Sequence, residues 1–150
     1  MPQGDDSTAR LHEDIARRWF TEGWAGDVGF ADVIFDRAFM GHGVQIGPQG
    51  PRRHVLSRLA GFPDLETDID DLISSGDRVV TRLQWSGTHR GPYGGVAATG
   101  RRVVLDVIVL WRFRDGKVVE DWTIQDWLSY LHQVGAIPAD QFRNGPEPQP

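Results

Sequence analysis

The pattern of apolar and polar residues divides the chain into a helical first part and a β-rich second part. Up to residue 60 apolar residues recur at helical spacing, as at Leu11, Ile15 and Trp19, which is typical of amphipathic helices. This spacing predicts three helices, over residues 8–23, 28–35 and 52–60. After Pro63 the pattern changes to period two, which predicts four strands, over residues 65–73, 78–86, 102–113 and 118–123. A last helix is predicted over residues 126–134.

Turn residues separate these elements and indicate the fold class. The Asp115-Gly116 pair between two strands is a strong hairpin signal, and residues 74–77 are predicted to form a second hairpin turn. Because helices and strands are segregated and the strands are joined by hairpins, we expect an α+β fold with a largely antiparallel sheet. We predict one domain over residues 8–138, a loose arm over residues 1–7 and a disordered tail over residues 139–150.

Composition narrows the function classes. The chain has 150 residues and a net charge of −5, so it lacks the basic surface that nucleic-acid binding needs. Cysteine is absent, which excludes disulfides, thiolate metal sites and cysteine nucleophiles. The polar N-terminus is unlike a signal peptide and no apolar run reaches the ~20 residues of a membrane span, so we predict a cytoplasmic protein. Six Trp and seven Phe residues are a high aromatic load, and lining an apolar cavity is one use for them.

Three segments of the chain carry a resemblance to a known family. They read FPDLETDIDDLISSGDRVVTRLQWSGTHRG, TGRRVVLDVIVLWRFRDGKVVEDW and QDWLSYLHQVGAIP. The first ends in a GTHRG motif, the second contains a DGK turn and ends in EDW, and the third is a closing helix followed by QVGAIP. In this order and spacing, from about Ile15 to Pro138, the chain resembles the SnoaL-like polyketide cyclases of the nuclear-transport-factor-like superfamily.

The resemblance implies a fold and a chemistry. The implied fold is a curved antiparallel sheet, wrapped into a cone by three N-terminal helices and a short C-terminal helix, with a pocket at the wide end. Such cyclases act on polyketide or polycyclic aromatic ligands without metal or organic cofactor. They use an Asp as acid/base in a dry pocket, where desolvation raises the pKa of the carboxyl group. The resemblance also implies a homodimer formed through the outer face of the sheet.

The chain differs from the family in the residue types at the catalytic positions. The catalytic Asp of the last strand falls on Thr123, which cannot act as a general base, and the preceding His falls on Asp121. Residues two apart in a strand share a face, so Asp121 takes a position close to the missing Asp if that face lines the pocket. Otherwise Asp121 is a solvated carboxylate beside a hairpin. On the long strand, the polar residues of the cyclases are replaced by Val107 and Val109.

Three further polar residues are candidates. His42 lies in a Gly-flanked loop at the implied cavity mouth, where it would share a proton with Asp121. Arg82 matches a common Arg of the family's second strand; it either faces inward, as a partner for an acidic residue or a substrate anion, or lies on the outer face of the sheet. Asp126 matches a frequent Asp at the start of the last helix, where an N-cap role also explains it.

These assignments give a predicted site. Asp121, His42 and Arg82 are the predicted catalytic residues. The predicted substrate-binding residues combine rings and small side chains near the implied pocket: Trp24, Phe39, Trp85, Val107, Val109, Trp111, Thr123 and Asp126. No metal site is predicted, because no spaced His, Asp or Glu motif is present.

Three functions fit this site. The first is an enzyme of polyketide or related aromatic natural-product biosynthesis that performs cofactor-independent acid/base chemistry, which is cyclisation, ring opening or isomerisation. The second is a hydroxylase-like member of the family that needs an external reductant or partner protein. The third is a non-catalytic domain that binds a small molecule, which the loss of the family's polar residues favours.

Overall fold

The computed structural model describes residues 6–138 of the chain. Residues 1–5 of the predicted arm and the predicted tail over residues 139–150 lie outside the described residues. The predicted arm is too long by two residues, because Asp6 and Ser7 already belong to the first helix. Among residues 6–138, no helix combines the length and the apolar character that crossing a membrane requires.

Four α-helices are present among the described residues. They are α1 (Asp6–Arg18), α2 (Ala31–Ile34), α3 (Gln49–Gly61) and α4 (Trp127–Gln133). A π-helical turn, Trp19–Gly23, extends α1, and a 3-10 turn, Val28–Phe30, precedes α2. The helices that the apolar spacing predicts are therefore confirmed, with the second one ending a residue earlier than expected.

Six strands form one mixed sheet. They are β1 (Phe35–Gly41), β2 (Val44–Gln45), β3 (Glu66–Ser75), β4 (Arg78–Thr88), β5 (Arg102–Arg114) and β6 (Lys117–Gln125). The order across the sheet is β2-β1-β6-β5-β4-β3. All neighbours are antiparallel except β1 and β6, which are parallel. The sheet curves without closing, so the α+β expectation is confirmed, but the sheet is mixed rather than wholly antiparallel.

The strand β1 is the main departure from the sequence prediction, which gave four strands and treated its residues as helix and turn. Phe35 and Phe39 are both buried in β1. Their separation of four residues is compatible with one face of a helix and with one face of a strand, so the apolar spacing alone does not separate the two. This strand matters for function because Gly41 at its end pairs with Asp121 in β6.

The core lies between the helices and one face of the sheet. Along β5, every second side chain is buried, from Val103 to Phe113, whereas Val104 and Ile108 are exposed on the other face. The same alternation in β4 buries Thr81, Leu83 and Trp85. The inner face of the sheet is thus the concave wall against which the π-helical turn after α1 and the helix α3 can enclose a cavity.

Candidate active site

A cavity of about 620 Å³ lies between the inner face of the sheet and the helices. Aromatic rings form much of its wall, with Trp19, Trp24 and Phe39 on the helical side and on β1. A volume of this size suits a drug-sized ligand with several rings. The cavity lining also includes polar residues, among them Asp121, His42, His54 and Arg58.

Asp121 lies on the cavity wall in β6. Its Oδ2 accepts a hydrogen bond from Trp111 Nε1 at 2.9 Å, and its Oδ1 accepts one from Thr123 Oγ1 at 2.9 Å. Burial raises the pKa of the Asp121 carboxyl above its ordinary range, and the bonds from Trp111 and Thr123 offset part of that rise. A carboxyl group that is desolvated but held by two donors is suited to take up and return a proton.

His42 lies beside Asp121 in the lining of the cavity. Its backbone N–H donates to the carbonyl of Asp121 at 3.0 Å, and its Nε2 accepts from the backbone N–H of Thr123 at 3.1 Å. The neutral ring therefore carries its proton on Nδ1. His42 also has a left-handed φ of 50° between Gly41 and Gly43, a conformation that few residues adopt without fixed surroundings.

His54 and Arg58 add two nitrogen side chains from α3. They are four residues apart, so both project from the same side of the helix. Partial burial lowers the pKa of His54, the nearby Arg58 lowers it further, and Asp121 opposes both. His54 and His42 in turn favour the ionised form of Asp121. The cavity thus brings one carboxyl group and two imidazoles within range of each other's charge.

Some predicted substrate-binding residues line the cavity and others lie behind its wall. Trp24, Phe39 and Thr123 are in the lining. Trp85, Val107, Val109 and Trp111 are buried on the same inner face of the sheet but are not in the lining. Two of these act through lining residues, because Trp111 holds Asp121 and Trp85 Nε1 donates to Gln125 Oε1 at 3.2 Å. The expectation of direct ligand contact is therefore corrected for these four residues.

Arg82 does not share the cavity with Asp121. It lies on the outer face of β4, where it is exposed and its Nε and Nη1 bind Asp71 at 2.7 Å and Asp70 at 3.1 Å. The side chains of β4 alternate between the faces, and Leu83 next to it fills the core. The outer-face alternative therefore describes Arg82, and the expectation that it works beside Asp121 is corrected.

Asp126 is exposed and caps α4. Its Oδ1 accepts from the backbone N–H of Ser129 at 2.9 Å, which is the N-cap geometry. It is not in the cavity lining, so the alternative interpretation as a cap replaces the expectation of substrate binding.

Several cavity-lining residues were not predicted from the sequence, among them two in α3 and three after β4. His54, Arg58, Tyr93, Gln125 and Trp127 all line the cavity. The spacing of His54 and Arg58 was the available signal, because it puts two nitrogen side chains on one side of a predicted helix. Within residues 6–138, no group of three His, Asp or Glu side chains is arranged to hold a metal ion.

A family model and several solved structures match this chain in sequence and fold. The family model described as SnoaL-like polyketide cyclase matches residues 14–134. No curated protein sequence is significantly similar to the chain. Among solved structures, a protein of Jannaschia sp. CCS1 named as a SnoaL-like polyketide cyclase has a TM-score of 0.79 and 25% identity, over 91% of this chain and 99% of that one.

Two structures from Streptomyces are also similar. TsrD of Streptomyces laurentii has a TM-score of 0.75 and 27% identity, over 89% of this chain and 98% of its own. AclR of Streptomyces galilaeus, named as a hydroxylase, has a TM-score of 0.71 and 25% identity, over 88% of this chain and 83% of its own. Since the family model covers most of the residues that form the sheet, the helices and the cavity, the chain belongs to the SnoaL-like polyketide cyclase family.

Proposed function

We propose that this protein is an enzyme of polyketide or related aromatic natural-product biosynthesis, in which Asp121 is the acid/base. The observation that supports this most is the environment of its carboxyl group, which lies on the wall of an aromatic cavity, with its pKa raised by burial and both oxygens held by donors. Cyclisation, ring opening and isomerisation at a carbon next to a carbonyl share one proton transfer, and this group is suited to it.

In the proposed step, the Asp121 carboxylate removes a proton from the carbon next to a substrate carbonyl. The electron pair of the broken C–H bond moves into the carbonyl, which becomes an enolate, and Asp121 becomes a neutral carboxylic acid. The Nδ1–H of His42 donates a hydrogen bond to the enolate oxygen, since its Nε2 is held by Thr123 N–H. Return of the proton from Asp121 to another atom of the product completes the cycle, and neither metal nor organic cofactor takes part.

The test is solvent deuterium exchange into 2-tetralone, a bicyclic aromatic ketone, followed by proton NMR. Asp121→Asn should lower the protein-catalysed exchange by about 10²- to 10⁴-fold, the usual contribution of a general base. Asp106→Asn is the matched control, because Asp106 is an exposed carboxylate on the outer face of the sheet. Unchanged exchange in Asp121→Asn would remove Asp121 from the reaction. Absence of exchange in the unsubstituted protein, with ligands still bound, would assign the chain to the non-catalytic binding domains instead.

A hydroxylase-like function is the second candidate, and the similarity to AclR favours it. Insertion of an oxygen atom from dioxygen requires two electrons from outside the substrate, so such a protein needs a reductant. Product formation that depends on added NADPH would support this candidate, whereas turnover without any reductant would support acid/base chemistry.

The outer face of the sheet supports the proposed homodimer. Ile108 pairs with Ile124 and Leu110 with Trp122 across β5 and β6. Ile124 is 71% exposed and Ile108 49% exposed, so these strands present an apolar surface that a second copy of the chain would cover. Ile124→Glu should shift the dimer to a monomer in light-scattering measurements. The cytoplasmic location stays a prediction.

A further inference from the structure

Arg58 is a buried cation in the cavity wall that has no counter-ion among residues 6–138. The residue is only 5% exposed, and its Nε and Nη1 have no hydrogen-bond partner among the described residues. No carboxylate of residues 6–138 lies within 4.0 Å of the guanidinium as an ion pair. Arg58 thus differs from Arg82, which is exposed and binds two carboxylates.

A buried guanidinium with two unpaired nitrogens, Nε and Nη1, is costly to the fold. Buried polar groups in folded proteins are nearly always hydrogen-bonded, and buried charges are nearly always paired. Burial lowers the pKa of Arg58, and the neighbouring Tyr93 hydroxyl opposes this through its charge and a hydrogen bond. The guanidinium stays protonated in proteins, and Nε and Nη1 remain without a partner among the described residues. The charge therefore persists in the cavity wall, and a ligand is the partner that would satisfy it.

The other charged residues of the cavity point to an anion. Among the cavity-lining residues, Arg53 and Arg58 are permanent cations and Asp121 is the single carboxylate. Burial raises the pKa of Asp121, which disfavours its negative charge. The cavity consequently carries an excess of positive charge, although the chain as a whole has a net charge of −5. Such a cavity attracts anionic ligands and disfavours cationic ones.

The neighbours of Arg58 fix the orientation of its guanidinium. The central carbon lies 3.9 Å from the ring centroid of Trp24 and 5.8 Å from that of Trp85. Stacking on Trp24 holds one face of the guanidinium against a ring and leaves its in-plane N–H groups for hydrogen bonds. A guanidinium held in this way is preorganised for a planar anion, and a carboxylate is the planar anion that it fits best.

From these observations we propose that Arg58 binds a carboxylate carried by the aromatic ligand of this cavity. The proposal rests on the proposed function only in naming the ligand class of the same cavity, since it holds whether or not Asp121 transfers a proton. The carboxylate lies against Arg58, and the ring system of the ligand extends along the aromatic wall formed by Trp19, Trp24 and Phe39. A substrate of this enzyme is then an aromatic acid rather than a neutral ester or amide.

The test compares 2-naphthoate with 2-naphthamide by isothermal titration calorimetry. The two probes share their shape and their rings, and they differ in charge. The protein should bind the acid about 10- to 100-fold more tightly than the amide, as expected for a hydrogen bond to a charged group. Arg58→Gln should abolish this preference, whereas the matched control Arg82→Gln should retain it. Equal affinity for both probes, or a preference that survives in Arg58→Gln, would overturn the proposal.

A second variant separates ligand binding from a structural role. Arg58→Met removes the charge but keeps a long apolar side chain that can still lie on Trp24. Removal of an unpaired buried charge should leave the Tm of the ligand-free protein unchanged or higher, while the preference for the acid is lost. A large fall in Tm would assign Arg58 to the stability of the fold and contradict the proposal.

The same calorimetry distinguishes this proposal from the acid/base function. Asp121→Asn should keep the preference for 2-naphthoate, because it retains Arg58. Loss of deuterium exchange with retained acid preference would support both proposals. Retained exchange in Asp121→Asn would contradict the acid/base role alone, and absence of the acid preference in the unsubstituted protein would contradict the carboxylate site alone.

Discussion

Thr123 controls the acidity of Asp121, and its substitution tests the proposed site directly. The Thr123 hydroxyl donates to Asp121 Oδ1 at 2.9 Å. A donor stabilises the ionised carboxylate more than the neutral acid, so this bond lowers the pKa of Asp121. Thr123→Val removes the hydroxyl and keeps a β-branched side chain of similar shape in the strand. The pKa of Asp121 should therefore rise further above its ordinary value.

The expected magnitude follows from the two bonds that the carboxylate accepts. Hydrogen bonds to charged groups contribute about 1.5–3 kcal/mol. Asp121 is only partly buried and borders a cavity that water can enter, so we expect the lower end, about 1.5 kcal/mol of lost stabilisation of the ionised form. Trp111 still donates to Oδ2 at 2.9 Å, and the bond from Thr123 N–H to His42 is made by the backbone and persists.

The assay is an NMR titration of the side-chain carboxyl carbons in ¹³C-labelled protein. The Asp121 resonance, identified by its loss in Asp121→Asn, should titrate at higher pH in Thr123→Val than in the unsubstituted protein. Thr123→Ser keeps a hydroxyl group and is the control, so it should titrate close to the unsubstituted protein. An unchanged or lower pKa of Asp121 in Thr123→Val would refute the hydrogen bond and its role.

Two further predictions concern stability. Asp126→Ala should lower the free energy of unfolding, measured with urea, by about 1 kcal/mol through loss of the cap on α4. Asp126→Asn should keep the cap and most of that stability. A large loss of turnover in Asp126→Asn would contradict the structural role. Burial raises the pKa of Asp121 above its ordinary value of 3.8, so the folded protein holds a proton that the unfolded chain has released, and stability falls as the pH rises through that window. Asp121→Asn removes this dependence, and its Tm relative to the unsubstituted protein should therefore be higher at pH 7 than at pH 4; the opposite order would contradict the raised pKa.

The helices and antiparallel hairpins were predictable because each has a local signal. Alternation along β5 separates buried Val103, Leu105 and Val107 from the exposed residues between them, and Asp115-Gly116 forms the predicted turn, with φ values of 50° and 74°. The parallel pairing of β1 with β6 has no local signal, because its partners lie about 80 residues apart in the chain. Only the tertiary fold brings these two strands together.

The site was predictable only in part, for a related reason. The period of β4 groups Thr81 with Leu83 and Trp85, and Arg82 with Val80 and Gln84, but each group mixes apolar and polar residues. The sequence therefore gives the two faces without saying which one is inside. Tertiary packing decides this question, since Leu83 and Trp85 are fully buried in the core and Arg82 is exposed on the outer face.

In the third helix, the pattern of apolar residues predicts only part of the buried side. Val55 is buried and Leu59 packs against the core, as their apolar character predicts, yet Leu56 is 49% exposed while Arg58 is buried. A helix that served only the core would place Leu56 inward and Arg58 in water, since arginine is rarely buried without a partner. The observed orientation gives up that gain in stability.

Asp121 and Arg58 are both placed where their charges are unfavourable for folding. Burial disfavours the ionised form of Asp121. Arg58 keeps its charge while its Nε and Nη1 have no acceptor among the described residues. Groups whose ionisation or hydrogen bonding is unfavourable and that converge in one cavity are a mark of functional sites, because selection for stability alone would remove them. The two residues are unfavourable for different reasons. The pKa of Asp121 is raised, whereas two nitrogens of Arg58 lack hydrogen-bond partners among the described residues. This difference supports a division of roles, in which Arg58 holds the ligand and Asp121 acts on it.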